Sequence, residues 1–141
     1  MNRRHGILIA SLAVAALSWP ARADTPKPAI TRKVISEHEI VGTNRVLQLV
    51  LVEIPVGAQS APHVHSVVAL NYIISGEVES RFEGEPVKRY KAGDTYQDPP
   101  TKKHLQFKNV SRTEPLKFVL AVEVEKGQPF MRVLEPPTEA K

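Results

Sequence analysis

Cysteine is absent from all 141 residues. Its absence excludes disulfides, thiolate metal ligands, a cysteine nucleophile and a lipidated cysteine behind a leader. Aromatic residues are scarce, at 6%. No stripe of lysine and arginine is interleaved with them, so no nucleic-acid surface is expected. Long apolar runs are missing too. The longest, Ile7 to Leu17, falls short of the roughly 20 residues that span a bilayer. Beyond it, no stretch combines a 3.6-residue apolar period with the caps of a helix.

Met1–Ala23 has the layout of a secretory leader. Arg3 and Arg4 form a positive start, the apolar run follows, and Ala21-Arg22-Ala23 presents small residues where a signal peptidase reads. The expected mature chain therefore begins at Asp24 and is periplasmic or secreted, with no membrane segment once the leader is removed. The leader holds three of the 19 basic residues and none of the 15 acidic ones, which leaves 16 against 15. The mature chain is almost neutral, so the basic balance of the whole says little about partners.

Residues 24–141 read as one domain, with its core over about 33–134. Arg45–Ile54 (RVLQLVLVEI) and Leu116–Glu125 (LKFVLAVEVE) are dominated by β-branched and aliphatic residues. Shorter strands are expected over Lys33–Ile40, Ala61–Ile74, Glu77–Glu83, Val87–Lys91, Thr95–Asp98, His104–Asn109 and Phe130–Leu134. Turns at Ser75-Gly76, Glu83-Gly84-Glu85-Pro86 and Ala92-Gly93-Asp94 separate several of them. Eight or nine short strands at this spacing point to an all-β sandwich or barrel.

The chemistry-bearing stretch is Gly57–Gly76, GAQSAPHVHSVVALNYIISG. His63 and His65 are two apart in an expected strand, so both imidazoles face the same side. Two neutral ring nitrogens on one side can converge on one metal ion. A third histidine, His104, lies in a second glycine-opened stretch, Gly93–Asn109. His38 stands outside both and reads as a surface residue. Asp98, just before Pro99-Pro100 at the end of the expected strand Thr95–Asp98, could orient a loop or line the mouth, and the loop role is preferred.

Gly57, His63, His65 and Gly76 together resemble the first motif of the cupins, G-x5-H-x-H followed by glycine. Gly93, Pro99, His104 and Asn109 resemble the second. NYIISGEVE and DPPTKKHLQFKNVS are similar to stretches common in these proteins. The resemblance runs from about Ile54 to Val124. It implies a double-stranded β-helix, or jelly-roll barrel, with one divalent metal ion (Fe, Zn, Ni, Cu or Mn) held by His63, His65 and His104. The glutamate of the first motif falls at Ala69, which has no donor, and the glycine of the second motif's P-x-G falls at Thr101. Three neutral imidazoles would leave the ion its full +2 charge, which favours anionic or chelating ligands.

Strand alternation adds Gln106 and Asn71 as polar groups lining the pocket, with Gln59 a third. Gln106 takes the place of a ligand glutamate in the pirin branch and is the first choice for contact with the ion. Cupin sites with three histidines include dioxygenases, so a dioxygenase or related oxidoreductase acting on a small oxygenated molecule is expected. A non-catalytic small-ligand-binding protein and a metal-dependent isomerase or lyase are the alternatives. Apolar residues on both faces of several strands (Leu47, Val50, Leu105 and Phe107) suggest a homodimer.

Overall fold

In the computed structural model, residues 28–135 are described. The leader Met1–Ala23, most of the lead-in after it and the end of the tail lie outside the described residues. Ten strands follow in order: β1 (Thr31–Ile40), β2 (Arg45–Ile54), β3 (His63–His65), β4 (Ala69–Ser75), β5 (Glu77–Phe82), β6 (Lys88–Lys91), β7 (Thr95–Asp98), β8 (Lys103–Asn109), β9 (Leu116–Glu125) and β10 (Met131–Val133). No helix occurs among the described residues.

The strands form two five-stranded antiparallel sheets. One runs β1-β2-β9-β4-β7, the other β10-β3-β8-β5-β6. The fold is the double-stranded β-helix expected from the sequence.

The spine of the first sheet is the ten-residue ladder of β2 on β9, from Arg45↔Glu125 to Ile54↔Leu116. Both strands alternate cleanly. Val46, Val50, Val52 and Ile54 of β2 face inward with Leu116, Phe118, Leu120, Val122 and Val124 of β9, all of them buried. Each such side chain contributes roughly 1.5–3 kcal/mol on leaving water. β1 covers the outer edge of β2 and is exposed along most of its length.

Expected and observed strands differ most at Ala61–Ile74. It is two strands in two sheets, because the chain crosses between them at Ser66–Val68. Ser66 secures the crossing: its backbone N–H donates to the Phe130 carbonyl and its hydroxyl to the Pro129 carbonyl. The next crossing, from β4 to β5, turns at Gly76 with φ +82°. A Cβ there would lie 2.9 Å from the Leu116 Cα, so only glycine fits.

Asn109 ends β8 fully buried and ties three segments together. Its amide donates to the carbonyls of Ile54, Pro55 and Glu114, and its oxygen accepts from the Ser111 N–H. The asparagine of the second motif is thus a clamp between strand ends.

Candidate metal centre

Three buried imidazoles meet inside one end of the barrel, all from the second sheet. His63 and His65 bracket Val64 on β3, and both point inward. β3 pairs with β8 so that His63 lies directly opposite His104. Ring centroids are 5.1 Å apart for His63 and His65, and 4.9 Å for His63 and His104. One nitrogen from each ring lies within 4.8 Å of the others.

Neighbouring groups set which nitrogen faces the centre. His63 Nδ1–H donates to the Ala61 carbonyl at 2.8 Å, which leaves the Nε2 lone pair free. His104 Nε2 is 2.8 Å from the Ser80 hydroxyl, and Phe82 stacks on the ring at 4.1 Å. His104 Nδ1 has no hydrogen-bond partner, and neither has His65 Nδ1. Burial pushes His63 down to about 4, and lowers His65 as well. Near neutral pH both rings are uncharged and available as ligands.

A carboxylate faces these rings. Asp98, at the end of β7 in the first sheet, is 3% exposed. Its Oδ1 lies 3.3 Å from His104 Nδ1 and its Oδ2 3.6 Å from His65 Nε2. Asn71 donates to Oδ2 at 2.9 Å. Burial alone would raise this carboxyl, but His104, His65 and the Asn71 amide together hold it below its usual value. Of the two roles open to Asp98, the structure bears out lining the mouth and not the preferred one of orienting a loop. A residue before proline is pushed to extended backbone, which suits a strand end. Its partner two positions back is Tyr96, a core aromatic, so Asp98 shares the inward face.

The other candidates divide. Ala69 is completely buried and pairs with Asp98 across the ladder, so position 69 does face inward. Asn71 is also inward, but it holds Asp98 rather than facing open space. Gln106 does not face the centre. The register of β5 on β8 shifts between Arg81↔Gln106 and Phe82↔His104. The extra residue of this bulge reverses the alternation, so Phe107 follows His104 inward and Gln106 turns out to bond Glu79 at 3.2 Å. Gln59 is exposed; its neighbour Ser60 is the inward residue, 3.5 Å from His63 Nδ1. His38 is exposed on β1, as expected.

A void of about 20 Å³ borders all three histidines and Asp98, with Arg32, Phe130 and Met131 also on its wall. This is the space of an ion, not of an organic ligand. His65 also borders an open cleft of about 560 Å³, flanked by Arg45, Arg132, Ser66 and Thr101. Three imidazoles with unpartnered nitrogens at a polar void are a donor set that suits a divalent transition metal. Thr101, on the cleft wall, adopts φ +65°, a conformation rare for a β-branched residue. Its N–H donates to the His65 carbonyl at 2.9 Å, so the strained turn pins β3.

No curated protein matches the chain in sequence. Solved structures do. An uncharacterized conserved protein with a double-stranded β-helix domain from Klebsiella pneumoniae is 27% identical, covering 78% of this chain and 90% of that one, with a TM-score of 0.59. KdgF from Halomonas sp. is 26% identical over 69% of this chain and 82% of its own, with a TM-score of 0.53. The DMSP lyase DddQ from Ruegeria pomeroyi shares the fold at 24% identity, covering 66% of this chain and 45% of that one, with a TM-score of 0.56. Residues 50–123, over half of the chain, match the family described as Cupin domain. Because that match runs from within β2 to within β9 and takes in His63, His65, Asp98 and His104, the chain belongs to the cupin family.

Proposed function

We propose that this chain is an exported, metal-dependent enzyme acting on a small, oxygenated, anionic molecule, with dioxygenase or related oxidoreductase chemistry as the first reading. One observation carries it. The inward nitrogens of His63, His65 and His104 border an ion-sized void, and His65 joins that void to a cleft of small-molecule size. A divalent ion held there supplies Lewis acidity, and redox chemistry if it is iron or copper.

The chain's own residues do the rest. His63 is fixed by the Ala61 carbonyl and His104 by Ser80 and Phe82, so the donors are preorganised. Arg132 flanks the cleft and forms no ion pair among the described residues, which suits it to bind an anionic group. Phe130 and Met131 give the void an apolar wall.

The smallness of that void favours a second reading, a non-catalytic protein that holds ion and ligand. Metal-dependent lyase or isomerase chemistry is the third. Oxygen consumption separates them. Protein stripped of metal and reloaded anaerobically with Fe(II) is mixed with a panel of small hydroxy, keto and carboxylic acids, and dissolved oxygen is followed. Substrate-dependent uptake, lost in His104→Ala, supports the first reading. Turnover without uptake supports a lyase or isomerase, and ligand binding without turnover supports the holding protein. Export rests on the leader pattern; recovery of intact Met1 protein from the cytosol, instead of a chain beginning at Asp24, would sink it. Assembly as a homodimer through the outer face of the first sheet completes the proposal.

A further inference from the structure

The donors described so far all come from one sheet. Asp98 reaches the same void from the other. Its carboxylate is buried and has an orphaned oxygen, Oδ1, which faces an equally orphaned nitrogen, His104 Nδ1, at 3.3 Å. Its second oxygen is 3.6 Å from His65 Nε2. Neither contact has the geometry of a hydrogen bond. Two donors each about 2.1 Å from one ion, however, lie roughly 3.0–3.5 Å from each other in octahedral or tetrahedral geometry. Both separations are near those of ligands that share an ion.

Charge leads to the same place. Asp98 is paired with no lysine or arginine among the described residues; its ion-pair contacts are the two histidines. Burying a carboxylate calls for a compensating cation or a full set of hydrogen bonds. The Asn71 amide satisfies a single lone pair. A divalent ion in the void would neutralise the carboxylate and satisfy its orphaned oxygen together. The ladder explains how the side chain arrives: Asp98 is the direct cross-strand partner of Ala69, whose small side chain leaves the inward face of that pair to the carboxylate.

We infer that Asp98 is a protein ligand of the metal ion, so that the site comprises three histidines and one aspartate drawn from both sheets. This rests on the metal-centre reading above. The site then carries a net +1 charge rather than +2, and its selectivity shifts toward metals that accept mixed nitrogen and oxygen donors. Asn71 is a positioning residue that fixes which carboxylate oxygen is presented.

The test uses metal affinity and a spectrum, neither of which needs a substrate. Apo protein is titrated with Zn(II) against a chromophoric chelator and with Co(II) by visible absorption, for wild type, Asp98→Asn and His63→Ala. Asp98→Asn is expected to weaken Zn(II) binding by about a thousand-fold, beyond the roughly 10–100-fold that loss of an orienting group costs. It is also expected to change the Co(II) bands. Wild-type affinity in Asp98→Asn, with none in His63→Ala, overturns the inference and leaves the metal centre standing. Weakened affinity with an unchanged Co(II) spectrum also overturns it, by making Asp98 an orienting group. A wild type that takes up no metal overturns both. Should Asp98→Asn fail to fold, X-ray absorption on Zn-loaded wild type decides between a histidine-only shell and one with an added carboxylate oxygen at about 2.0–2.2 Å.

Discussion

The two sheets of this barrel are dressed differently on both faces. Inside, the first sheet presents almost nothing but aliphatic and aromatic side chains from β2 and β9, with Asn71 and Asp98 as its polar exceptions. The second presents His63, His65, Ser80 and His104. Outside, the second sheet carries paired charges: Arg89 with Glu79 at 2.6 Å, Lys103 with Glu83 at 3.0 Å, and Lys102 with Glu85. The first exposes Leu49, Leu70, Tyr72 and Ile74, with Leu70 53% and Tyr72 48% exposed. The cross-strand rows Leu49–Ala121–Leu70 and Leu51–Val119–Tyr72 make that surface continuous. The first sheet supplies most of the cohesion and the second most of the chemistry. A cluster of desolvated imidazoles stabilises nothing by itself, so the opposing sheet must supply the burial that holds it.

The largest expected effect separates cohesion from chemistry. Phe118 is buried in the first sheet and meets Tyr96 and Phe107 ring to ring. Phe118→Ala should cost about 3–5 kcal/mol of stability in chemical denaturation. His63→Ala should cost the apo protein far less while abolishing metal uptake. Equal losses of apo stability in the two variants would break the division.

Acid should act on the second sheet. His63 titrates near 4 in the folded chain, whereas an unfolded histidine titrates near 6.5. From about pH 6.5 down to about 4 the unfolded chain therefore binds the extra proton, and stability falls as pH falls. The loss is on the order of 3 kcal/mol for the apo form. Denaturation midpoints across that range measure it, and His63→Gln should flatten the slope. An unchanged slope would mean that His63 is not the group responsible.

Thr101 gives a smaller effect of opposite sign. Glycine takes φ +65° without strain, so Thr101→Gly should stabilise by about 1 kcal/mol, a rise of roughly 4 °C in melting temperature. A drop would show that the Thr101 side chain makes compensating contacts.

The outer faces offer the smallest effect on the fold. Leu70→Asp with Tyr72→Lys should leave subunit stability within about 0.5 kcal/mol, as is usual for exposed positions. The same pair should convert a dimer to a monomer in light scattering, while Lys103→Glu on the other sheet should not. A wild type that is monomeric at high concentration removes the dimer from the proposal.

The histidines were legible because a two-residue spacing on a strand leaves little freedom: both rings must share a face. β2, β7 and β9 were legible to the residue, since their alternation is clean and turns bound them. Gln106 was misplaced because a bulge reverses alternation without leaving a mark in composition. Gln59 was misplaced by one position, since Ala61 and Pro62 interrupt the strand between it and His63. Asp98 could have been found. The face shared with Tyr96 and the extended backbone that Pro99 imposes were both in the sequence and favoured the mouth, but the double proline gave more weight to a loop role.

The ladder of β2 on β9 also has a consequence in time. Arg45 and Glu123, which are bonded across it, stand 78 residues apart in the chain. β2, the second long strand to emerge in synthesis, therefore waits for nearly the last before its ladder on β9 can form. Folds dominated by such distant pairings close slowly, on the order of milliseconds to seconds. Until then the Val- and Leu-rich β2 is an open edge prone to pair with other chains. A nascent chain stopped before Leu116 would lack the spine of the first sheet, so the barrel and its site can complete only after β9 is released.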